Sequence, residues 1–77
     1  MYLDPIELKV LESIGEKAAF GVTFDELLME FNIRINELKK ILNNLEKQKF
    51  IQKRTFKDEI IDYDIGPKGN TYLESVR

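Results

Sequence analysis

Hydrophobic positions recur at helical spacing in three successive stretches of the chain, each with a start signal or a stop signal. The first stretch follows Asp4-Pro5, a capping residue before a proline with a preset helical φ angle, and predicts a helix over residues 5–17. The second follows Thr23, with Glu26 at the reciprocal capping position, and predicts a helix that ends at Asn32. The third predicts a helix over residues 35–48 with the buried stripe Leu38, Ile41, Leu42 and Leu45.

Two short β-branched and aromatic runs follow the third helix and predict a hairpin over residues 51–65. The runs cover residues 51–56 and 60–65, and the polar turn Lys57-Asp58-Glu59 separates them. The second run alternates, so a one-residue slip would bury its aspartates and the register is well specified. The alternation predicts that Ile61, Tyr63 and Ile65 face the core while Asp62 and Asp64 face water.

The order of the elements predicts an α+β fold. Gly66-Pro67 ends the hairpin and starts a last helix, with contacts expected at Tyr72, Leu73 and Val76. Val22 is expected to add a short strand to the hairpin. Residues 1–77 are therefore expected to form one domain with a three-helix core, a β-hairpin and a C-terminal helix.

The composition argues against an enzyme. The 77 residues include no Cys and no His, which removes disulfides, the usual zinc ligands and the commonest general base. Asp62 and Asp64 are closely spaced carboxylates, but a solvated outer strand face is favoured over a shared cation. We expect no catalytic residue, metal or cofactor. The sequence shows neither a membrane-length apolar run nor a signal peptide, so a cytoplasmic protein without membrane contact is expected.

Charge is distributed unevenly along the chain, although the formal net charge is only −2. Residues 34–57 carry eight basic side chains against two acidic ones, a net charge of +6. The segments before and after them are acidic, at −5 and −3. Random clustering in a short, highly charged chain is the alternative explanation, but a confined basic segment favours contact with phosphate.

Three stretches resemble the winged helix-turn-helix family of MarR-like or PadR-like transcriptional regulators: FDELLMEFNI (residues 24–33), LNNLEKQKFI (42–51) and YDIGPKG (63–69). The resemblance covers residues 5–76 and implies that the third helix is a recognition helix and the hairpin a wing. Three positions depart from the family pattern. Arg34 stands where a small hydroxyl cap is common, Lys49 replaces a glycine before the wing, and Gly66 replaces a threonine cap.

The resemblance implies double-stranded DNA as the partner. It places the third helix in the major groove and the wing on the adjacent backbone. No small-molecule effector is evident from the sequence. Asparagine matches the adenine edge, lysine donates to guanine, and an exposed isoleucine contacts a thymine methyl. Arg34 would meet a phosphate, although drift explains its presence equally well. The candidate DNA-binding residues are Arg34, Ile35, Asn36, Lys39, Lys40 and Asn43 on the helix, and Lys53, Arg54 and Lys57 on the wing.

Two other interpretations remain open at this point. The polar helix face is also compatible with simple solvation, with Ile35 packed into the turn. The same fold also serves as a protein-interaction module or as a subunit of a larger transcription or replication assembly.

A DNA regulator with about four phosphate contacts would bind weakly at cellular salt, which favours a homodimer on two half-sites. Dimer contacts are available at Tyr2 and Leu3 or on the last helix, where closure of the domain's own core is the favoured alternative.

Overall fold

Four helices and a two-stranded hairpin make up the fold, in the order that the sequence predicts. The computed structural model describes residues 3–17 and 20–76. The helices α1 (Pro5–Glu16), α2 (Phe24–Phe31) and α3 (Ile35–Lys47) precede the strands β1 (Ile51–Phe56) and β2 (Glu59–Ile65), and α4 (Pro67–Val76) follows them. The predicted ends of α1 and α3 each lie one residue too far along the chain.

The start of α2 follows the predicted capping chemistry. The Glu26 amide donates to the Thr23 hydroxyl at 3.2 Å, and the Glu26 carboxylate accepts from the Thr23 amide at 3.2 Å. Asn32 ends the helix with a left-handed backbone, at φ 49°. At α1, the Glu7 carboxylate accepts from the Asp4 amide at 3.1 Å, as predicted for its capping box. Arg34 precedes α3, and its side chain makes no capping hydrogen bond, as expected where a small hydroxyl residue is missing.

The core lies where the helices meet the inner face of the hairpin. Its central side chains come from all three N-terminal helices, and Leu11, Leu27 and Leu45 are each 0% exposed. Leu73 of α4 closes one side of it at 3% exposure. The same core includes Val10, Ile14, Val22, Leu38, Ile41, Leu42, Phe50, Ile51, Tyr63 and Ile65.

The predicted contacts of α4 are only partly confirmed. Leu73 is buried and the Tyr72 ring lies 5.0 Å from that of Phe50, centroid to centroid, but Val76 is 49% exposed. Leu3, a predicted dimer contact, packs against the core, and its amide donates to the Tyr72 hydroxyl at 3.4 Å. Tyr2, named with Leu3 as a dimer contact, lies outside the described residues.

The hairpin corrects three sequence predictions. The turn contains only Lys57 and Asp58, and their φ angles are both positive, at 53° and 67°. A two-residue turn of this geometry joins the strands because it matches their twist. β2 therefore begins at Glu59 instead of Ile60. The pairing shifts between Arg54 and Thr55, which face Asp62 and Ile60, so Ile61 has no partner opposite it. This bulge leaves Ile61 52% exposed instead of in the core.

Asp62 does not face water as predicted, because the α1–α2 connection covers its side of the sheet. It is only 9% exposed, while Tyr63 and Ile65 are buried as predicted. In place of the predicted short strand, Val22 forms a single antiparallel β-bridge, in which it exchanges backbone hydrogen bonds with Tyr63 at 3.0 and 2.8 Å. Asp64 is half-buried, and its carboxylate accepts from the Ile65 amide at 2.8 Å.

Candidate nucleic-acid interface

One face of α3 carries an exposed row of alternating amide and ammonium side chains. Asn36, Lys40, Asn43 and Lys47 follow one another at spacings of four, three and four residues, and all are exposed. At 3.6 residues per turn they lie within about 30° of one line along the helix, opposite the buried stripe. We call these four residues the α3 row.

Lys47 belongs to this row, although it is absent from the candidate residues that the sequence provided. Helical spacing from Asn36, Lys40 and Asn43 was the signal that could have found it. The candidate residues did not include Lys47 because the family resemblance places the early residues of the helix toward the groove. In the structure Lys47 extends the same surface by one further turn.

The two flanks of the α3 row differ in charge and contacts. On the side of the wing, Lys39 shares a flank with Glu46, whose carboxylate lies 3.5 Å from the Lys53 ammonium. Ile35 lies on this flank and is 52% exposed, which is more than a side chain packed into the turn would be. Arg34 precedes the helix and is also exposed. The candidate residues of the helix therefore share one accessible surface.

The other flank faces the start of α1 and is acidic. A groove of about 500 Å³ lies there, with Ile6 and Ile41 among its lining residues. Glu7 spans it, because its carboxylate accepts from the Asn44 side-chain amide. Asn44 is therefore engaged within the protein, unlike the residues of the α3 row. The groove is also lined by Asp4, Glu37 and Lys40.

Arg54 is held by the protein itself, although the sequence suggested it as a phosphate contact. Its guanidinium donates two hydrogen bonds to the Asp62 carboxylate and a third, at 3.3 Å, to the Phe20 carbonyl oxygen. The hydrogen bonds from Arg54 lower the pKa of Asp62, and those to Asp62 raise the pKa of Arg54. The pair joins the wing to the α1–α2 connection.

Gly21 provides the space for this ion pair. Its φ angle is +75°, and a Cβ atom there would lie 2.4 Å from Arg54 Nη2 and 2.7 Å from Asp62 Oδ2. Both distances are shorter than non-bonded atoms adopt, so a side chain at this position would displace the pair. Nothing in the local sequence around Gly21 indicates that the wing reaches it.

Apart from Lys53 and Arg54, the cations of the candidate surface form no ion pair with the described residues. Three ion pairs form among residues 3–17 and 20–76, and two of them engage Lys53 and Arg54 of the wing. Lys57 lies over the Phe56 ring, with its ammonium 5.5 Å from the ring centroid. The cations of the candidate surface without an ion pair in the described part of the chain are Arg34, Lys39, Lys40, Lys47 and Lys57. Positive charge available to a ligand is thus concentrated on α3.

Metal sites and membrane-spanning helices are both absent from the described part of the chain. Within the described ranges, His, Cys, Asp and Glu side chains form no group of three or more that would hold a metal ion. The described helices include none with the length and apolar character needed to span a membrane.

Comparisons with known proteins agree with this architecture. The family model described as TFIIE alpha subunit matches residues 5–74. The oxidized form of MarR from E. coli superposes with a TM-score of 0.79 at 19% identity, covering 95% of this chain and 52% of that chain. FabT from Streptococcus pneumoniae, in complex with DNA, gives a TM-score of 0.82 at 18% identity, covering 96% and 52%.

A probable transcriptional regulator from Pseudomonas aeruginosa also superposes, with a TM-score of 0.79 at 21% identity, covering 96% of this chain and 56% of that chain. The chain thus spans about half the length of these three proteins. The superpositions confirm the winged helix-turn-helix fold. A sequence comparison with curated proteins gives no significant match.

Proposed function

The chain belongs to the TFIIE alpha subunit family, and from that premise we propose that it is a DNA-binding regulator of transcription that places α3 in the major groove. The observation that carries the proposal is the α3 row, because its side chains are exposed and its lysines have no ion pair in the described part of the chain. The wing would lie on the adjacent backbone, with Lys57 as its available cation.

Further support comes from the fold and from charge. FabT shares the fold and is a protein whose structure was solved in complex with DNA. Residues 34–57 supply the positive charge that phosphate contact requires. In this proposal the chain acts without enzymatic activity, as one winged-helix domain of a cytoplasmic homodimer. The candidate surface comprises Arg34, Ile35, Asn36, Lys39, Lys40, Asn43, Lys47 and Lys57, with Lys53 and Arg54 shaping the wing.

The salt dependence of duplex binding tests this proposal. Four phosphate contacts predict that the logarithm of the binding constant falls with the logarithm of salt concentration with a slope of about −3.6. Fluorescence anisotropy with a labelled duplex measures this slope. The double variant Lys39→Ala/Lys40→Ala is expected to lose most of the binding, because it removes two unpaired cations from α3.

The matched control for this experiment is Lys9→Ala/Lys68→Ala. It removes the same charge from exposed positions outside α3 and the wing, so it is expected to bind like the parent chain. Equal loss of binding in both double variants would show that net charge, and not the α3 surface, governs the affinity. Absence of salt-sensitive binding even at low ionic strength would contradict a DNA-binding function.

The wing favours a second candidate function, contact with a protein in a transcription assembly. Phe56, Ile60 and Ile61 are 63%, 50% and 52% exposed, which leaves apolar side chains on a hairpin whose cations are partly neutralised. Exposed apolar groups of this kind are typical of protein-binding surfaces. If duplex binding is absent, a Phe56→Ser/Ile61→Ser variant that weakens binding to a purified transcription complex would support this alternative.

A further inference from the structure

The α3 row matches the hydrogen-bonding groups of a particular series of base pairs. An asparagine amide can donate to N7 and accept from N6 of adenine, and a lysine ammonium donates to O6 and N7 of guanine. Asn36, Lys40 and Asn43 therefore present an adenine reader, a guanine reader and a second adenine reader, in that order. All three side chains are exposed.

The spacing of these side chains agrees with that of stacked base pairs. A helix rises about 1.5 Å per residue, so Asn36 and Asn43 are about 10 Å apart along the axis. Base pairs repeat about every 3.4 Å, so about 10 Å corresponds to three steps and spans four base pairs. Lys40 lies about 6 Å from Asn36 and about 4.5 Å from Asn43 along the axis, which corresponds to about two steps and about one step. These residues lie in the first three turns of α3, the part of a recognition helix that contacts base edges.

Lys47 and Asn44 do not fit the role of base readers. Lys47 lies about 6 Å farther along the axis than Asn43, near the C-terminal end of the helix, where phosphate is the available partner. Asn44 is already engaged, since its side-chain amide donates to Glu7. The carboxylates of Glu7 and Glu37 on that flank would repel a phosphate strand, which limits how far α3 can rotate in the groove.

We propose that the α3 row reads a four-base-pair core in which the first and fourth pairs are A·T and the third pair is G·C. Asn36 and Asn43 contact the adenines of the first and fourth pairs, Lys40 contacts the guanine of the third pair, and Lys47 binds a phosphate. This inference rests on the proposed DNA-binding function and names the duplex that the surface would select.

Selection from a randomised duplex, followed by affinity measurements on the complete chain, tests this assignment. The enriched sequences are expected to contain the G·C pair with one adenine directly beside it and the other adenine two pairs away on its opposite side. Replacing the G·C pair is expected to weaken binding by the parent chain about tenfold. Lys40→Ala is expected to abolish this discrimination, and Asn43→Ala to relax the preference at one flanking pair only.

Lys47→Ala provides an independent readout, because loss of a phosphate contact weakens all duplexes alike. It is expected to reduce the salt slope by about 0.9 without changing the enriched sequence. Lys9→Ala, with the same charge change on α1, is expected to change neither quantity.

The outcomes separate this inference from the proposed function. Salt-sensitive binding without an enriched core, or an unchanged preference in Lys40→Ala, overturns the base assignment and leaves DNA binding in place. Absence of any salt-sensitive duplex binding overturns both.

Discussion

At the residue scale, Lys49 ends α3 with its backbone in the left-handed region, at φ 66°. The Phe50 amide donates to the Leu45 carbonyl at 2.9 Å, and the Lys49 amide donates to the Glu46 carbonyl at 2.9 Å. These two bonds are those of a Schellman motif, in which glycine is the usual residue. Lys49 stands where the resembling family has a glycine, and its backbone adopts the conformation that glycine usually provides.

Lys49→Gly is therefore expected to stabilise the protein by about 0.5–1 kcal/mol. Relief of the left-handed strain exceeds the extra entropy that glycine gives the unfolded chain. Urea denaturation measures the change in free energy of unfolding. Lys40→Gly is the matched control and is expected to destabilise by about 1 kcal/mol, because Lys40 lies inside α3. Destabilisation by Lys49→Gly would contradict the left-handed assignment.

At the element scale, the contact between the wing and the α1–α2 connection depends on Asp62 and Arg54. These residues face each other across the hairpin and are joined by two hydrogen bonds. The link orients the wing relative to the helices, which gives Arg54 a structural role. Elsewhere, α1 and α2 are joined by Glu30, which accepts hydrogen bonds from Ser13 at 2.8 Å and Lys17 at 3.1 Å.

The wing contact is expected to weaken in acid. Hydrogen bonds from Arg54 hold the pKa of Asp62 below 3.8, the ordinary value for an aspartate. A carboxyl group with a lowered folded-state pKa contributes stability above its unfolded pKa and loses it as pH falls through the folded value. We therefore expect the melting temperature to decrease as the pH is lowered below about 4. Glu30 is expected to add to this decrease, because its pKa is also lowered, chiefly by the hydrogen bond from Ser13.

Thermal melts of the parent chain, Asp62→Asn and Arg54→Gln between pH 7 and pH 2 check this expectation. Both variants are expected to melt lower at neutral pH and to show a weaker pH dependence, because each removes one partner of the pair. Identical pH profiles for the parent chain and Asp62→Asn would show that Asp62 does not contribute. Arg54→Gln separately tests whether the guanidinium is the cause.

At the scale of the whole molecule, α3 carries three exposed lysines without an ion pair in the described part of the chain, while α1 and the edge of the groove beside it are acidic. One such surface makes few phosphate contacts, so specific binding by a lone copy would be weak at cellular salt. We infer that two copies act together on DNA, with a two-fold axis relating two half-sites.

The expected stoichiometry is two chains on a duplex whose half-sites are about 10 base pairs apart. Analytical ultracentrifugation of the complex measures it. Moving the half-sites by about 5 base pairs is expected to reduce the affinity, because the second half-site then lies on the opposite side of the duplex. Binding of one chain with no dependence on spacing would contradict a dimer on DNA.

The local sequence determined most of the architecture. The order of elements, the Thr23 cap, the Asn32 terminus, the buried stripe of α3 and the basic segment could all be predicted. Each of these depends on residues within one or two turns of one another, where periodicity and capping chemistry act directly. The exposed face of α3 follows for the same reason, since it is the complement of the buried stripe.

Only the tertiary structure decided which of the charged residues are available. Arg54 and Phe20 lie 34 positions apart, and Gly21 accommodates the ion pair only because the chain folds back onto the wing. The bulge at Ile61 likewise depends on how β2 pairs with β1, which alternation within one strand does not specify. Contacts between different elements engaged two of the three wing cations, and α3 is the surface on which we base the proposed function.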